Sequence, residues 1–212
     1  MASSNPFRFS DYTYDELRSC GASFEEEARQ FEHVKPNATT SDWTEFILDW
    51  FTATVAPRHT VDARRAAGSV TPLLEGLPRR DTRGEFLVDL THTTYPDYSK
   101  DDYGTANYWT RAVKSARGCE VKLALESELG TFRNPDRSLA QVLEDAAKVA
   151  AFRANVKVVV FASEDGSRKD QWVRMLEALR TQSKDSAPWL WADVPWENSR
   201  GGLWQPSHGV LS

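Results

Sequence analysis

Two periods run through the hydrophobic and polar positions of this chain, one of two residues and one near 3.6. The period of two is clearest in Glu120 to Gly130, EVKLALESELG. Successive side chains of a strand point to opposite sides, so Val121, Leu123, Leu125 and Ser127 share the side a packed sheet needs. Glu120, Lys122, Ala124, Glu126 and Glu128 share the other. A strand is also predicted from Gly84 to Thr93, with Phe86, Val88 and Leu90 on one face and Glu85, Leu87, Asp89 and Thr91 on the other. Asn155 to Ala162 is nearly continuous in β-branched residues, as expected of a strand covered on both faces. A sheet covered on both sides should not carry loose carboxylates, and this argues against reading Glu126 and Glu128 as a solvated outer face.

Helical spacing fills the intervals. Ser23 and Glu26 resemble a capping box, which predicts a helix from Phe24 to about Val34. Asp42 is placed to cap the next helix, where Trp43, Phe46, Ile47, Trp50, Phe51 and Thr54 form one stripe and Glu45 and Asp49 fall outside it. Residues 57–83 read as an arginine-bearing connection, and 105–117 as a helix. Pro135 suits a helix start. The helix after it buries Leu139, Val142, Leu143, Ala146, Val149 and Ala150, and keeps Gln141, Asp145 and Lys148 on its polar side. A further helix spans Gln171 to Leu179. The tail from Pro188 carries Trp189, Trp191, Trp196 and Trp204, which fit a last strand or flap on the core, with base stacking or a partner surface as the competing use. Alternation of strands and helices makes this an α/β domain with a central mixed sheet flanked by helices.

Charge and composition narrow the chemistry. The chain has 212 residues, enough to bury a core as a single domain, with N-terminal helices over 1–60 and a Trp-rich segment over 186–212. Its net charge of −5 means that any nucleic-acid contact needs a local basic patch, for which Arg79, Arg80 and Arg83 are the best cluster. No run approaches the ~18 apolar residues of a membrane span, and the first residues lack a secretory pattern, so a cytoplasmic protein without membrane contact is expected. Cys20 and Cys119 are isolated and the four histidines are scattered, so neither a disulfide nor a zinc site is read from them. The chemistry candidates are therefore Asp89 on one strand and Glu126-Ser127-Glu128 on the other, with Lys122 on the same row and Lys148 on the following helix. Hard carboxylate oxygens at this spacing suit a divalent cation such as Mg²⁺.

At these residues the chain resembles the PD-(D/E)xK nuclease superfamily. In that pattern a strand acid is followed by a strand bearing Glu-x-Lys, then a helix and a further strand. Asp89 matches the first acid and Glu126 the second, and Glu128 stands where the lysine is expected, as in the Glu-x-Glu variants of the family. The resemblance covers about residues 84–163 and implies a restriction-endonuclease-like core. It also implies Mg²⁺ (or Mn²⁺) held by Asp89, Glu126 and Glu128, phosphodiester hydrolysis assisted by Lys122 or Lys148, and DNA as the partner, with a homodimer where both strands are cut. The competing expectation is a nuclease-fold protein without activity, serving as a binding or regulatory module. Another α/β enzyme is disfavoured: the chain has no Gly-x-Gly-x-x-Gly, no phosphate loop and no Gly-x-Ser-x-Gly elbow.

Overall fold

The computed structural model describes residues 14–54, 60–63, 88–94, 120–129, 135–163, 166–184, 186–194 and 206–211. Helices α1 (Tyr14–Val34) and α2 (Thr40–Thr54) come first. Strands β1 (Thr60–Ala63), β2 (Leu90–Thr94) and β3 (Glu120–Glu128) follow, then α3 (Pro135–Ala151), β4 (Ala154–Phe161), α4 (Gly166–Gln182), β5 (Trp189–Asp193) and β6 (Ser207–Leu211). The six strands form one sheet in chain order. β2 runs antiparallel to both β1 and β3, the β3–β4 and β4–β5 pairs are parallel, and β6 is antiparallel to β5. Both parallel steps are made by crossover helices, α3 and α4, as parallel neighbours require.

Helices cover both faces of this sheet. Leu123, Leu125, Val156, Val158, Val160 and Leu190 are buried with Leu17 and Phe24 of α1 and Trp43, Ile47 and Phe51 of α2. On the opposite face Val159, Phe161 and Trp189 are buried with Val142 and Ala146 of α3 and Trp172 and Leu176 of α4. The arrangement is a mixed-sheet α/β architecture with helical layers on both sides. Among the described residues, no helix is long and apolar enough to cross a membrane.

Several boundaries differ from the expectations. α1 begins at Tyr14, because Leu17, Cys20, Phe24 and Ala28 already make a continuous buried stripe, and Ser23 and Glu26 lie in mid-helix. Thr39, not Asp42, precedes the first turn of α2. The Asp42 N–H donates to Thr39 Oγ1 at 3.3 Å, while the Thr39 N–H donates to Asp42 Oδ2 at 2.8 Å, a reciprocal capping box. Lys35 lies 2.6 Å from the same carboxylate, and these hydrogen bonds lower its pKa to about 2. The stretch expected to be only a connection contains β1. β2 starts at Leu90, six residues later than predicted, and residues 84–87 and the helix expected at 105–117 lie outside the described residues. Trp189 is 1% exposed in the core, so the strand reading of the tail holds there and base stacking by that ring does not. Trp196 and Trp204 lie outside the described residues.

Candidate active site

The even-numbered side of β3 faces α3, since Ala124 packs with Val149. That face therefore presents Glu126 and Glu128 beneath the polar side of the crossover helix. Gln141, Glu144, Asp145 and Lys148 recur at i, i+3, i+4 and i+7, which aligns them on one stripe. With Asp89, Glu126, Ser127 and Glu128 they line a pocket of about 320 Å³.

Asp89 enters from the neighbouring strand. Leu90 pairs with Leu125, so Asp89, one step earlier, comes opposite Glu126. It sits in a bend just before β2, not mid-strand as the alternation predicts. Its Oδ2 accepts hydrogen bonds from the Ser127 N–H at 2.9 Å and the Ser127 hydroxyl at 3.0 Å. A carboxylate anchored on a backbone donor is fixed in direction, as a ligand or base needs to be.

Glu126 is strongly perturbed. It is 4% exposed, and burial raises its pKa first. The negative charges of Asp89 and Asp145 and a hydrogen bond with Asp89 raise it further, Lys148 opposes, and the result is pushed up to about 10. Glu126 is thus a neutral acid at neutral pH. Lys148 Nζ pairs with Asp145 and lies 4.0 Å from Glu126 Oε1. The lysine on the helix therefore spans the acids of two elements.

Five carboxyl groups and one ammonium line this pocket, a surplus of hard oxygen donors that suits a divalent cation. Among the described residues no three Asp, Glu, His or Cys side chains are arranged to hold a metal ion. Asp89 and Glu126 form a pair, and a pair matches Mg²⁺, which is bound through one or two carboxylates plus substrate oxygens and water more often than in an all-protein cage. Glu128 lines the same pocket. Lys122 shares the face of Glu126, but four residues of strand separate them by about 13 Å, and it does not line the pocket. Arg79, Arg80 and Arg83 lie outside the described residues.

The pattern of residue types did not reveal Ser127 as the partner of Asp89, because strict alternation assigns it to the apolar side. Gln141 and Glu144 were also outside the predicted site; their place on the Asp145–Lys148 stripe was the available signal. Comparison with protein-family models, curated proteins and solved structures finds no match to this chain.

Proposed function

We propose that the pocket between β3 and α3 hydrolyses phosphodiester bonds, as a Mg²⁺- or Mn²⁺-dependent endonuclease acting on DNA. The observation that carries this reading is the convergence of Asp89 and Glu126 across the β2–β3 pair with Lys148 reaching toward them from the crossover helix. The order of elements supports it: helices, the strand beside Asp89, the acid-bearing β3, a crossover helix and a parallel apolar strand, the order that the resemblance to the nuclease superfamily implies.

Asp89 and Glu126 would hold the cation, which when bound polarises the scissile phosphate and lowers the pKa of a water. Glu128, which lines the same pocket, would orient that water and accept its proton. Lys148, steadied by Asp145, would offset negative charge developing on the phosphoryl oxygens, the task given to the motif lysine elsewhere. Here that lysine would come from α3, with Glu128 occupying its place on the strand.

A second reading is a binding module of the same architecture. Glu128 in the place of the motif lysine and the net charge of −5 favour it. Incubation with supercoiled plasmid plus Mg²⁺ or Mn²⁺ separates the two. The nuclease reading expects metal-dependent nicking that disappears in Asp89→Ala and Glu126→Ala, and falls at least about a hundredfold in Lys148→Ala. Cleavage that survives both acid variants would place the activity elsewhere, and intact plasmid without metal binding would leave the binding module.

A further inference from the structure

A second pocket, of about 620 Å³, lies at the other end of α3 from the carboxylates. It opens where the C-terminal end of α3, the start of β4 and the α4–β5 connection meet. Its size is that of a small-molecule site. Lys157 on β4, Arg153 before β4 and Lys184 after α4 contribute cations from three separate segments. Asn155, Ser183 and Ser186 add an amide and hydroxyls, and Phe152 and Pro188 add apolar wall. Among the described residues that line it there is no carboxylate, although the chain as a whole is acidic. Asp185 lies outside the described residues.

Two features indicate that these cations serve more than solubility. Lys157 is 1% exposed, a cost accepted rarely for a lysine. Its Nζ donates to the Ala150 carbonyl at 2.9 Å and lies 5.8 Å from the ring centroid of Trp189, so the charge is held in place beside the pocket. Lys184 takes a φ of 54°, the left-handed position just beyond a helix where glycine is the usual residue. Its N–H donates to the Thr181 carbonyl at 3.2 Å and that of Ser183 to Leu179 at 2.9 Å, so the turn is a regular helix stop. A long cationic side chain there costs backbone energy that glycine would avoid, and such strain points to use of the side chain.

We propose that this pocket binds a small phosphorylated molecule. Its phosphate would be met by Arg153 and Lys184, with the buried charge of Lys157 beside the pocket adding attraction, and its apolar part would lie against Phe152. Arginine and lysine together supply the fork and point charge that phosphate takes. This assignment is independent of the carboxylate pocket.

The test is calorimetric titration of the full chain with inorganic pyrophosphate at physiological salt, with chelator present so that no divalent cation links the ligand to the acids. Saturable binding is expected, weakened about tenfold or more in Arg153→Ala. Lys184→Gly should weaken binding while raising Tm, a combination that loss of folding cannot produce. Failure to saturate at millimolar pyrophosphate, or unchanged affinity in both variants, overturns the proposal. A single-stranded oligonucleotide binding there more tightly than pyrophosphate or a mononucleotide overturns the small-molecule assignment.

Discussion

Glu126 sets the pH behaviour of the site. Unfolded, it ionises near its ordinary value of 4.5; folded, burial and its acidic neighbours hold the proton up to about 10. Between those values the folded state carries one proton more than the unfolded state. Its contribution to stability is therefore complete below the lower value and is lost as pH rises through the upper one. By pH 7 the loss amounts to at most about 3 kcal/mol. Glu126→Gln, of the same shape and neutral at every pH, should stabilise the protein at pH 7 by up to that amount and flatten the decline from about pH 5 to about pH 9. Urea unfolding of both proteins across that range measures it; parallel pH profiles would show that Glu126 ionises normally. The place of Glu126 on the covered face is legible in EVKLALESE because alternation needs only local chain geometry. The anchoring of Asp89 by Ser127 is not, since it depends on strand pairing across 38 residues.

At the scale of elements, α1 meets the edge of the sheet through a glycine. A Cβ on Gly21 would lie inside the His208 ring edge and 2.9 Å from Leu190 Cδ1, while His208 Nδ1 and Glu25 Oε2 are 2.5 Å apart beside it. Gly21→Ala would be mildly favourable in an isolated helix. In this protein it should instead destabilise by about 1–3 kcal/mol, because the buried Leu190 and the tethered ring must move. Chemical denaturation checks the sign, and a stabilised variant would mean that β6 docks less tightly than these contacts require. The same contact explains what the sequence hid. Nothing around Ser23 and Glu26 shows that Gly21 must stay small, because the space is taken by β6, almost two hundred residues later. β1 escaped for a similar reason: four residues of an arginine-rich stretch become a strand only through pairing with β2. By contrast α3 and β4 were legible, because a polar and an apolar stripe, or an unbroken β-branched run, state their environment locally.

For the whole molecule, sequence pattern gave a covered α/β sheet but not its strand order, which places the Trp189 strand beside β4 and closes the edge with β6. That order leaves the carboxylates on the face of β3 covered by α3, where burial and the charges of Asp89 and Asp145 keep Glu126 protonated. A cation that binds Asp89 and Glu126 must displace this proton, so its affinity should rise with pH. Because it binds the folded chain, it should also add to stability by mass action. At free Mg²⁺ ten times its dissociation constant the gain is about 1.4 kcal/mol, or a Tm increase of roughly 3–6 °C for a chain of this size. At a fixed, subsaturating Mg²⁺ concentration the increase should be larger at about pH 8.5 than at about pH 6, and chelation should reverse it. Asp89→Ala should remove most of it at both. Thermal scans with and without Mg²⁺ decide the matter independently of any substrate: an increase that grows with pH and needs Asp89 ties the cation to this pair of acids, whereas Tm values indifferent to Mg²⁺ at both pH values would leave the pocket a buried proton-sharing cluster and shift the weight to the binding-module reading.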